Sequence, residues 1–162
     1  MSYRKVTRPG FDSPLVGMVW KRRARVLCEG TLMWLHAQLP LNSAAPGVAR
    51  KAAETLARAV PDEVLDRVRL VLSELVTNSV LHSGTREEEG VQVRIELTPL
   101  IVRIEVRDRG PGFDQADLPP DPDRIGNWGL LLVQRVTDRW GLEHNNVNAM
   151  RTWAEIDLPV GT

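Results

Sequence analysis

Ser73-Glu-Leu-Val-Thr-Asn-Ser-Val-Leu-His82 is the stretch on which the fold turns. It continues a pattern that begins at Pro61-Asp-Glu. Val64, Leu65, Val68, Val71, Leu72, Leu75, Val76 and Ser79 recur at helical spacing and share one face. Asp62 and Glu63 suit the first turn, where the helix dipole favours negative charge. The spacing therefore predicts one long helix, closed by Ser83-Gly84. Glu74 and Asn78 stand one helical turn apart on its surface, beside the apolar stripe.

Working outward, Val91-Gln-Val-Arg-Ile-Glu-Leu97 and Ile101-Val-Arg-Ile-Glu-Val-Arg107 each alternate apolar with polar residues across Thr98-Pro99. That is a β-hairpin with one buried face. Upstream, Thr31 to Pro40 alternates in part and reads as an edge strand that Pro40 ends. Val48 to Val60 is alanine-rich and helical, with Pro46 at an early helical position. Downstream, Leu130 to Trp140 reads as a third helix. Trp140 to His144 and Thr152 to Leu158 read as a closing strand pair. The order β-α-α-β-β-loop-α-β-β predicts an α+β fold. Two layers are expected, a mixed and largely antiparallel sheet with helices over one face. Residues 1–30 are read as an irregular extension, and 31–160 as the domain.

Composition narrows the function classes. The chain has 162 residues, 43% of them hydrophobic, which suits one domain with a real core. Lys plus Arg and Asp plus Glu number 21 each, so no global basic field points to nucleic acid or a membrane surface. Lys21-Arg-Arg-Ala-Arg25 is a short basic run, too short for a nucleic-acid claim. Cys28 is the single cysteine, which excludes an intrachain disulfide and fits a reducing compartment. No apolar run approaches the roughly 18 residues of a membrane helix, and the start lacks a signal-peptide pattern. A cytoplasmic protein is expected.

Two further segments carry chemistry. Asp108-Arg-Gly-Pro-Gly-Phe113 follows a strand, and Gly126-Asn-Trp-Gly-Leu130 precedes a helix. Asp108 could accept a hydrogen bond from an adenine amino group. Gly110 and Gly112 let backbone approach a base or ribose. Gly126 and Gly129 open a helix whose first N–H groups can hold phosphate. Asn78 can offer an oxygen to Mg²⁺, and Glu74 can take a proton from an attacking hydroxyl or water. Between the second and third segments runs a proline- and aspartate-rich loop, residues 110–127, placed as a lid hinged at Gly112 and Gly126. Taken singly, each segment also fits a plain helix boundary or turn. Their order and spacing together read as a site for ATP and Mg²⁺.

That trio resembles the Bergerat-fold (GHKL) ATP-binding superfamily, which includes the histidine-kinase-like ATPase domain. The chain is most similar to stand-alone anti-sigma-factor serine/threonine kinases, a group abundant in actinobacteria. The 73–82 stretch resembles the family's N box, Asp108 to Gly112 its D-x-G-x-G box, and Gly126 to Val133 its second glycine box. The resemblance implies Glu74 as general base and Asn78 as magnesium ligand. It implies Asp108 as the adenine reader, with Gly110, Gly112, Gly126, Gly129 and Leu130 lining the nucleotide. His82, at the end of the N box, is read as capping or packing rather than as a phospho-acceptor. The implied activity is transfer of the terminal phosphate of ATP to a serine of a small antagonist protein. The implied partners are that antagonist and a sigma factor, with a homodimer allowed and no nucleic acid or membrane. A nucleotide-gated binding protein or slow ATPase without transfer is the alternative. The family's threonine two residues before the last-strand tryptophan falls here on Arg151, with Thr152 one residue along. In a strand that shift reverses the face, so either the register adjusts or the adenine contact weakens.

Overall fold

The computed structural model describes residues 19–27, 30–82, 90–109, 128–144 and 150–159. In chain order the elements are β1 (Val19–Leu27), β2 (Gly30–Leu39), α1 (Ala45–Ala53), a 3₁₀ turn (Glu54–Leu56) and α2 (Asp62–His82). They continue with β3 (Val91–Leu97), β4 (Ile101–Asp108), α3 (Trp128–Val136), β5 (Arg139–His144) and β6 (Met150–Asp157). The strands form one sheet in the order β1-β2-β3-β4-β6-β5, and every described pairing is antiparallel.

Alternation along the strands sorts residues onto two faces. Leu35, Ile95, Ile104 and Ala154 lie in register across four strands, as do Ala37, Val93, Val106 and Thr152. All eight are buried, and they form the floor of the core. The α2 stripe predicted from spacing covers this floor: Val64, Leu65, Val68, Val71, Leu72, Leu75 and Val76 are each 4% exposed or less. Helix α1 buries Ala45, Ala49, Ala52 and Ala53, whose small side chains let it lie close against α2. Arg69 of α2 clasps Glu54 with two 2.8 Å bonds and so ties down the 3₁₀ turn. Gly90, just before β3, has φ of 64°, and a Cβ there would meet the Leu39 carbonyl at 2.7 Å. This entry into the sheet therefore requires glycine.

The α+β two-layer reading holds, with four corrections. Residues 19–27 are strand β1 rather than irregular chain, while residues 1–18 lie outside the described residues. Consequently β2 is flanked on both sides and is not an edge strand. The sheet is antiparallel throughout the described pairings, not mixed. Helix α3 ends at Val136, and Trp140 belongs to β5. Period-2 and helical patterns are both short in this last region, so periodicity alone could not place that boundary.

Candidate functional site

The exposed edge of the α2 stripe positions the first two candidates. Glu74 and Asn78 are half-buried, on the side of α2 that meets the start of α3. Gly129, the second residue of α3, lies against both. A Cβ built there would stand 2.6 Å from Glu74 Oε2 and 3.5 Å from each end of the Asn78 carboxamide. Any side chain at 129 would have to displace the carboxylate. The residues brought together by the fold are thus an acid, an amide and a glycine from two segments far apart in sequence.

Asn78 Nδ2 is buried with no hydrogen-bond partner among the described residues. Leaving a buried polar atom unpaired costs about 1–3 kcal/mol. A bound ligand or ordered water is one way such a group is satisfied. A half-turn about the amide offers an oxygen in place of the NH₂. No group of three or more His, Cys, Asp or Glu among the described residues could hold a metal. A cation here would take one oxygen from Asn78 and the rest from ligand phosphates and water, the habit of Mg²⁺. The residues fit ATP with magnesium.

Asp108 closes β4 on the helix-covered face and is 9% exposed. It pairs in register with Met150, and the neighbouring inward residue of β6 is Thr152, at 8% exposure. Arg151 lies on the opposite face, bonded to Glu143 and 3.7 Å from Glu105. The strand register therefore settles which residue shares a face with Asp108: it is Thr152. The Leu130 side chain enters the core at 6% exposure, so any ligand contact from this residue would fall to its backbone N–H. Gly110, Gly112, Gly126 and the lid loop 110–127 lie outside the described residues. His82 is the exposed last residue of α2.

Two features escaped the sequence. Arg50 of α1 reaches Ser73 Oγ at 3.4 Å, immediately beside Glu74. Arg67 of α2 donates to the Val136 carbonyl and to Asp138, both at 2.8 Å. Neither has a motif signal, because each depends on how the helices dock. Asp138 also accepts from the Asp157 backbone N–H at 2.8 Å. That bond, assisted by Arg67 against the opposing effect of burial, holds the Asp138 carboxyl below the usual aspartate range.

Residues 39–153 match the family described as Histidine kinase-like ATPase domain, which is more than half the chain. The chain belongs to that family. It is 39% identical over 88 residues to an anti-sigma F factor of Clostridium botulinum (strain Eklund 17B / Type B), covering 48% of this chain and 59% of the relative. It is 32% identical over 89 residues to the serine-protein kinase RsbW of Listeria monocytogenes, covering 47% and 56%. The chain thus spans less than two thirds of these relatives' lengths. The RsbU and RsbW domains of Rv1364c from Mycobacterium tuberculosis share the fold, with a TM-score of 0.59 at 21% identity, over 77% of this chain and 32% of that one. Among the described residues no helix is long and apolar enough to cross a membrane.

Proposed function

We propose that this chain is an ATP- and magnesium-dependent regulatory serine/threonine protein kinase of the anti-sigma-factor type. The observation that carries the site is Gly129 seated on Glu74 and Asn78, with Asn78 Nδ2 left unpaired among the described residues. The named relatives supply the class of activity. Asp108, on the buried end of β4, would accept from the adenine amino group, with Thr152 beside it on the same face. The first N–H groups of α3 would hold phosphate oxygens, since they have no partner within the helix. Asn78 would hold the magnesium ion through its carboxamide oxygen. The ion, once held, would offset negative charge on the terminal phosphates. Glu74 would take the proton of an acceptor serine hydroxyl as its oxygen bonds the terminal phosphorus and ADP leaves. The acceptor would be a small antagonist protein, the silenced partner a sigma factor, and the compartment the cytoplasm. Arg151, which would favour a binding-only regulator if it replaced the threonine beside adenine, lies on the far face of the sheet.

The test is Mg·ATP titration of the parent, Asn78→Ala and Glu74→Ala proteins, followed by transfer from terminal-phosphate-labelled ATP in a lysate of the protein's own cells. Asn78→Ala should lose magnesium-dependent affinity. Glu74→Ala should keep nucleotide and lose transfer. A small protein labelled only when Glu74 is present supports the kinase. Tight Mg·ATP binding with no labelled acceptor sinks transfer and leaves a nucleotide-gated binding protein.

A further inference from the structure

Helix α3 meets α2 at two ends. At its N-terminal end Gly129 touches Glu74 and Asn78. At its C-terminal end the Val136 carbonyl accepts from Arg67 Nε. Arg67 precedes Glu74 by about two helical turns on α2, and Gly129 precedes Val136 by the same distance on α3, roughly 10 Å. The helices therefore run antiparallel, with Val71 and Val133 fully buried in the core between these ends.

Arg67 does more than cap a carbonyl. Its Nη2 donates to Asp138 Oδ2, and that same oxygen accepts from the Asp157 N–H at the end of β6. One guanidinium thus joins α2, the end of α3 and the Asp138 junction leading into β5. A cation at this end also suits the α3 dipole. Its planar fork meets two acceptors at once, which a lysine ammonium cannot do with the same geometry. The other end of α3 has no such device among the described residues: its second residue is a glycine pressed on a carboxylate.

We propose that Arg67 is a positioning residue for the nucleotide site. By pinning the far end of α3 to α2, it sets where Gly129 and the first N–H groups of α3 stand relative to Glu74 and Asn78. The proposal rests on the ATP-site reading above. Arg67 lies about 10 Å along α2 from Glu74 and touches no reacting group, so its effect passes through the placement of α3. Small misplacements at a site can cost up to about a hundredfold, and a loss of about tenfold in Mg·ATP affinity is expected from Arg67→Ala.

The experiment is Mg·ATP titration alongside nucleotide-free melting for the parent, Arg67→Ala, Arg67→Lys, Asp138→Asn and Arg69→Ala. Arg69 is the control: it sits on the same helix with bonds to Glu54 and Asp66, away from α3. Support is an affinity loss in Arg67→Ala that exceeds that of Arg69→Ala at comparable melting temperature, with partial recovery in Arg67→Lys. If Arg67→Ala does not fold, Asp138→Asn carries the test and should show the same loss to a smaller degree. Parental affinity in the Arg67 and Asp138 variants overturns the proposal. So does a loss that merely tracks melting temperature in all variants, Arg69→Ala included. A parent that does not bind Mg·ATP overturns the site reading itself, and the proposal with it.

Discussion

The two faces of the six-stranded sheet solve the same problem in different ways. On the covered face Leu35, Ile95, Ile104 and Ala154 run across four strands at 3% exposure or less, under α1 and α2. On the other face the neighbouring row is Glu96, Arg103, Glu155 and Arg139, with charge alternating from strand to strand. Arg103 bonds Glu105 at 3.1 Å and Glu155 at 2.5 Å, and Arg139 bonds Glu155 at 2.7 Å. Burial alone would raise the Glu155 carboxyl, but the hydrogen bonds from Arg139 and Arg103 outweigh it and hold it below the usual range. One apolar exception on this face, Trp153, is shielded in place. Arg103 lies 4.6 Å over the Trp153 ring, whose indole in turn packs on Gly141. One face is removed from water, and the other stays wet with its charges paired sideways. Polar residues that break the rule on the covered face, Asp108 and Thr152, sit together at one end of β4 and β6. That end of the sheet is where the proposed adenine contact falls.

Three measurements would break or sharpen this contrast. The largest effect should come from Leu72→Ala, a fully buried residue over the covered face. A loss of about 2–5 kcal/mol in denaturant unfolding is expected from lost transfer energy and the cavity left behind. On the open face Glu105 is 7% exposed and lies within reach of Arg103, Arg107 and Arg151. Glu105→Ala should cost about 1–2 kcal/mol, because the three guanidinium groups it leaves can still reach water. Equal losses for the two substitutions would show that the open face is as much a core as the covered one.

The smallest effect is in pH. Glu155 and Asp138 are both lowered in the folded chain, from ordinary values of 4.5 and 3.8. A lowered carboxyl contributes stability that is complete above its unfolded value and is lost as pH falls through the folded one. Melting temperature should therefore hold steady above about pH 5 and decline below it, and Glu155→Gln should shallow the decline. An unchanged acid limb in Glu155→Gln would remove the open-face lattice from the stability account.

Much of the architecture could be read from local periodicity. The α2 stripe from Val64 to Ser79 and the hairpin of β3 and β4 follow from spacings of 3.6 and 2 residues, and both stand in the structure where those spacings place them. The Glu74 and Asn78 pair was legible for the same reason, since four residues is one helical turn. Strand β1 was not, because Lys21-Arg-Arg-Ala-Arg25 masks alternation with a run of charge. The end of α3 was not, because Val136 to Trp140 offers too few residues to distinguish two periods.

The sequence by itself determined what each segment becomes and which side chains share its surface, because those are properties of neighbours along the chain. It also held the motif order that marks the family. Only the tertiary structure decided that Thr152 rather than Arg151 faces inward with Asp108, that β1 flanks β2, and that Gly129 rests on Glu74 while Arg67 grips Val136. Each of these depends on strand register or helix docking. Those arise when distant faces leave water together, and no local spacing encodes them.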